Sequence, residues 1–204
     1  MLLKPLLLAI LFSTVSLASE QETRKFMPEK YTTPNQSLVD PLIQKVIIET
    51  LTSMNEPSLW EAPSDQPSFR FTWLRSFDEP IAIRISKNGN NYSAHTTVLE
   101  MDEKGKVLGI KTTTVRSVPK KKWNEFLALL KKSTYWELSP VAQPQFKDGW
   151  LTVTTDGAFW VLEANLNHRY HMVSMHSPEN KEFRRLCLFL LRLSGLQIKP
   201  SLIY

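Results

Sequence analysis

The chain has 204 residues, with 25 lysines and arginines against 20 aspartates and glutamates, and a single cysteine. That length suits one domain whose core is large enough to fold without staples. Cys187 has no partner for an intrachain disulfide, and the mild basic excess of +5 suits an acidic partner as well as simple solubility.

Residues 1–18 combine Lys4, an apolar run from Leu6 to Phe12 and the small-residue site Ser16-Leu17-Ala18. This is the pattern of a secretory signal peptide cleaved after Ala18, because the run falls short of the roughly 20 apolar residues of a membrane span. The expected location is therefore periplasmic or secreted, with no transmembrane segment once the signal is removed. Residues 19–66 read as a flexible polar lead, one short helix over about 40–54, and a linker punctuated by Pro57 and Pro63. The helix opens at Asp40-Pro41 and carries Ile43, Val46, Ile47, Leu51 and Met54 on one side.

Residues 67–204 form the expected domain. Phe69, Phe71, Trp73 and Phe77 alternate with Arg70, Thr72 and Ser76, which predicts a strand with one buried and one wet face. Ile81, Ile83 and Ile85 continue it across Asp78-Glu79-Pro80 as a hairpin. A second pair is predicted from Tyr92 to Met101 and from Lys106 to Val115, its threonines suiting an exposed sheet face. Pro119 then begins a helix with the apolar stripe Trp123, Phe126, Leu127 and Leu130. The lysines around it, Lys120 to Lys122 and Lys131-Lys132, read as a solvated surface.

Asp156-Gly157 lies between two strand-like runs and predicts a type I′ turn that pairs Leu151 with Leu162 and Val153 with Trp160. Ser177-Pro178-Glu179 reads as the start of a last helix that ends at Gly195. Cys187 shares a helix face with Phe183, Leu186 and Leu190, which makes it a buried, inert thiol. The fold class is thus α+β: an antiparallel sheet built from hairpins, with helices packed on one face and a short N-terminal helix.

Chemistry-bearing residues gather only at Glu163, His168, Tyr170, His171 and His176. Glu163, Tyr170 and His171 are the candidates for a catalytic site. A metal site is not expected, because His168 and His171 are three apart and so diverge on a regular strand. The chain has no G-x-S-x-G elbow, H-E-x-x-H pair or phosphate-binding glycine loop, and no cofactor is implied. Nucleic-acid binding is not expected either, since Arg70 and its neighbouring aromatics alternate onto opposite faces.

The segments Asp156-Gly157-Ala158, Trp160, Leu162-Glu163, Tyr170-His171, Ser177-Pro178, Phe183-Arg184 and Leu186-Cys187 through Leu193-Ser194-Gly195 resemble the C-terminal signature of small uncharacterised secreted bacterial proteins. The resemblance extends to the stretch from Arg70 to Ile85 and implies no activity or site. His176 departs from it, standing where an aromatic residue is expected.

Three functions follow from these features. The first is an exported, non-enzymatic binding or inhibitory protein, for instance of the immunity type, that contacts a protein partner in the cell envelope. The second is an envelope hydrolase using Glu163 or His171. The third is an envelope-associated protein that binds anionic lipid or cell wall through its lysine-rich helix.

Overall fold

A computed structural model describes residues 26–28, 31, 41–63, 65–140, 146–147, 150–151 and 157–204. The predicted signal segment 1–18, most of the lead, and Val153 and Asp156 of the predicted hairpin lie outside the described residues. Helix α1 (Pro41–Ser53) precedes four strands in hairpin succession: β1 (Ser68–Arg75), β2 (Ile81–Asn88), β3 (Asn91–Met101) and β4 (Val107–Ser117). Helix α2 (Lys120–Lys132), the short pair β5 (Phe146–Lys147) and β6 (Trp150–Leu151), strands β7 (Ala158–Leu166) and β8 (Arg169–His176), and helix α3 (Lys181–Ser194) complete the chain. The six long strands form one antiparallel sheet in the order β4-β3-β2-β1-β7-β8.

The α+β class and the antiparallel sheet agree with the sequence. The helices, however, divide between the two faces. On one face α2 and α3 cover Phe69, Phe71, Trp73, Ile83, Trp160, Leu162 and Val173. On the other, Ile47, Ile48 and Leu51 of α1 join Leu74, Val161, Tyr170 and Met172. Phe26, Met27 and Tyr31, from the stretch expected to be a flexible lead, are buried in that second cluster. Central strands covered on both sides need apolar or paired residues at both parities. Accordingly β1 is buried along its whole length, and the face predicted to be wet, with Arg70 and Thr72, is fully enclosed.

The second correction concerns pairing. Leu151 is opposite Phe146, while Leu162 is flanked by Phe71 and Val173 and Trp160 by Trp73 and Met175. Both sides of β7 are occupied, which leaves Leu162 no room for Leu151. The two-residue reversal falls instead at Asn167-His168, both left-handed (φ 52° and 63°), between β7 and β8. Gly157 serves a different need, because a Cβ there would collide with Ser177 Oγ and the His176 ring.

The third correction is the helix start. Asn180, not Ser177, caps α3, its side chain accepting from the Phe183 N–H (3.0 Å). Ser177 finishes the ladder: its N–H donates to Ala158 O, and its Oγ accepts from the Ala158 N–H. Gly195 ends the helix in the left-handed region, φ 73°, as the sequence predicts.

Candidate functional site

Arg70 and Glu163 face each other across the β1–β7 ladder, and the register turns both toward α1. Arg70 donates from Nε to Glu163 Oε2 (2.7 Å) and from Nη2 to Oε1 (2.8 Å), a two-pronged charge pair. Its third nitrogen, Nη1, reaches Pro57 O (2.7 Å) and Glu56 Oε2 (3.3 Å) in the loop after α1. Arg84, opposite Arg70 on β2, donates to the same Glu56 oxygen (2.8 Å), and the Tyr170 hydroxyl donates to Glu163 Oε1 (2.9 Å). Two cations therefore meet two anions, and the cluster is neutral as a whole.

Burial by itself would pull the Arg70 pKa down, but Glu163 and then Glu56 outweigh it and hold the guanidinium charged. Burial, followed by the adjacent Glu163 carboxylate, pushes the Tyr170 phenol well above its ordinary value, so it stays a hydrogen-bond donor. With three donors already on its oxygens, Glu163 is arranged to hold the 54–63 loop and β8 onto the sheet. Asn165 adds to this, donating from Nδ2 to Leu59 O (2.8 Å) and Ala62 O (3.2 Å).

His171 belongs to a separate relay at the β8 edge. Its Nε2 lies 3.0 Å from Leu138 O, a group that only accepts, so Nε2 carries the proton. In the neutral ring Nδ1 then accepts from the Tyr31 hydroxyl (3.2 Å), whose oxygen in turn accepts the Met172 N–H (3.3 Å). His168 occupies the β7–β8 turn and His176 the far end of β8, where its ring meets Phe159 edge-on. The structure thus joins Glu163 to Tyr170 and separates both from His171, which engages Tyr31 and Leu138 instead. Among the described residues no three histidines, cysteines or carboxylates form a metal-sized group. Cys187 is fully buried, and desolvation pushes its thiol well up, as its helical spacing predicts.

The sheet has two edges that differ. At β8 the Met172 N–H is taken by Tyr31 and the Ser174 N–H by Pro140 O (2.7 Å). At β4 the Val118 N–H donates inward to Tyr92 O, so by antiparallel alternation Thr113, Val115 and Ser117 turn their amides outward. Among the described residues nothing accepts from those three amides. Leu108, Ile110 and Val115 are 59%, 41% and 60% exposed along the same strand. Sequence reasoning missed this edge. Its signal was present, however, because in Leu108-Gly109-Ile110 through Val115 neither parity is uniformly apolar, and such a strand has no core face to bury.

A groove of about 760 Å³ opens where β4 ends, lined by Asn91, Ser93, Val115, Arg116, Ser117 and Lys120 among others. Among the described residues Arg116 and Lys120 have no carboxylate partner, whereas Lys111 is paired with Glu79 and Lys122 with Glu125. No helix among the described residues is long and apolar enough to cross a membrane. No protein-family model, curated protein or solved structure matches this chain.

Proposed function

We propose that this protein is an exported, non-enzymatic binding protein that acts through a protein–protein contact, taking an extended segment of its partner as a further strand along β4. The observation that carries the reading is the β4 edge, unpaired among the described residues, with exposed Val115 and three outward amides, in a sheet whose other long edge has its Met172 and Ser174 amides taken. Strand addition supplies affinity through main-chain hydrogen bonds and specificity through alternate side chains. An open edge invites unwanted association, so it persists where it is used or guarded. The hydrolase alternative draws less support, since Glu163 is enclosed by Arg70 and Tyr170 and both His171 nitrogens are engaged within the fold. Residues 1–18 support export through their charge, apolar run and small-residue site.

The test is site-specific photo-crosslinking in the producing cell, with the reactive group at Thr113 or, as a control, at Arg169 at the start of β8. The reading requires one envelope protein captured at Thr113 and not at Arg169, with capture lost in Val115→Pro. Equal capture at both positions, or capture unaffected by Val115→Pro, defeats it. Peptide mass analysis of the accumulated protein should begin at Ser19, and an intact Met1 would remove the export part.

A further inference from the structure

The β4 edge is not uniformly available. Thr112 to Ser117 pair regularly with Val98 to Ser93, but the register slips between Val98 and Leu99 and again between Glu100 and Met101. Lys111 and Leu108 are left without opposite residues, so two bulges and a lysine interrupt the strand on the N-terminal side of Thr112. Bulges and edge lysines are the devices that stop strands from adding. The open stretch is therefore the six residues that pair regularly, Thr112–Ser117.

The charge of that stretch has one sign. Thr112, Thr114 and Arg116 share the face toward α3, while Thr113, Val115 and Ser117 share the other, and no acidic residue occurs from Val107 to Lys122. The exposed Arg116 guanidinium lies over Gly195 at the end of α3, in space that a Cβ there would fill. With Lys120 it lines the groove beside Asn91 and Ser93, so cations and hydrogen-bonding side chains converge at the end of the open edge.

Resting on the strand-addition reading above, we propose that the segment recognised is acidic. It is an extended stretch of another protein, with carboxylates at alternate positions that reach Arg116 and the Lys120 groove, and with apolar residues between them that lie on Val115. A second copy of this chain fits poorly. Antiparallel self-pairing centred on Val115 would set Lys111 of one copy opposite Pro119 and beside Lys120 of the other, and the register that pairs Val115 with Ser117 would set Arg116 opposite Arg116. Like charges placed opposite in a ladder destabilise it.

The probes are three end-blocked heptapeptides that alternate valine with glutamate, glutamine or lysine. They are titrated into the isotope-labelled protein, purified in the form its producing cell accumulates, and followed by NMR. The glutamate peptide should shift the Thr113, Val115 and Ser117 amides, slow their exchange with solvent, and bind about tenfold more tightly than the glutamine peptide at low salt. That advantage should shrink at 0.5 M salt, since exposed charges are screened within a few ångströms there. Arg116→Glu combined with Lys120→Glu, both at exposed positions, should reverse the preference toward the lysine peptide, and Val115→Pro should abolish binding of all three.

Equal binding of the glutamate and glutamine peptides overturns the acidic preference and leaves strand addition standing. If no peptide moves those three amides, or if Val115→Pro binds unchanged, strand addition itself fails. Amides that become protected on concentrating the protein alone would assign the edge to a second copy. Binding to phosphatidylglycerol vesicles that survives Val115→Pro and competes with the glutamate peptide would assign the cations to a lipid surface. Either of these last two results overturns the proposal.

Discussion

The half of the sheet made by β1, β7 and β8 and the half made by β3 and β4 solve the same problem differently. In the first half both faces are covered, an ion cluster holds a loop to the sheet, and the edge amides of Met172 and Ser174 are taken by Tyr31 and Pro140. In the second half Met54 after α1 packs only on Leu99 and Val107 of the other face, while among the described residues nothing accepts from the edge amides of Thr113, Val115 and Ser117, and Leu108, Ile110 and Val115 are exposed. Backbone groups that are not paired within the fold must be paired by water or by a partner. The closed half thus carries stability, while the open half leaves three amides with no acceptor among the described residues.

The largest effect is expected from Glu163→Leu, which leaves Arg70 buried with Glu56 and Pro57 as its remaining partners among the described residues. Removing one partner of a buried ion pair costs about 3–5 kcal/mol, and chemical denaturation should show a loss of that size. A loss below about 1 kcal/mol would mean that the cluster does not anchor the closed half. Matched proline substitutions sharpen the contrast between the edges. Ser174→Pro removes a donor and orphans Pro140 O, a loss of about 1–3 kcal/mol. Val115→Pro removes an amide without a partner among the described residues and should cost less than about 1 kcal/mol, since edge positions tolerate proline. Equal losses for the two variants would erase the distinction.

Tyr31→Phe takes away the oxygen that accepts the Met172 N–H and should cost about 1 kcal/mol. Hydrogen exchange offers a finer check, because the Met172 amide should lose protection in that variant while Val115 exchanges quickly in either protein. The smallest effect concerns pH. Burial and then Arg84 lower the pKa of His95, on the open half, below its ordinary 6.5. A lowered histidine pKa means that the unfolded chain binds the proton first, so this stability is complete above pH 6.5 and is lost as pH falls from there through the folded pKa. The slope of unfolding free energy against pH just below 6.5 should flatten in His95→Gln, and an unchanged slope would remove His95 as its source.

Much of the fold is legible in the sequence. The β1–β2 and β3–β4 hairpins, the Pro119 helix with its Trp123, Phe126 and Leu130 stripe, and the Gly195 stop all follow from period, turn chemistry and caps. The misplacements share a cause, which is that a local signal can satisfy either of two partners. Ser177-Pro178 has the composition of a helix start, yet Ser177 is drawn to Ala158 across the ladder. Asp156-Gly157 has the composition of a tight turn, but the ladder positions beside Leu162 are already filled by Phe71 and Val173.

The inventory is local: which segments are strands or helices, where several of them stop, and that Cys187 lies on an apolar helix face. Local dihedral preferences and side-chain periodicity decide these, and both act within a few residues. Strand order, by contrast, is what encloses Arg70 with Glu163 and Glu56, lets Tyr31 close β8, and leaves Thr112 to Ser117 open among the described residues. Each of those depends on which strand becomes a neighbour and which an edge, and an alternating pattern is the same on a strand covered on one face or on two.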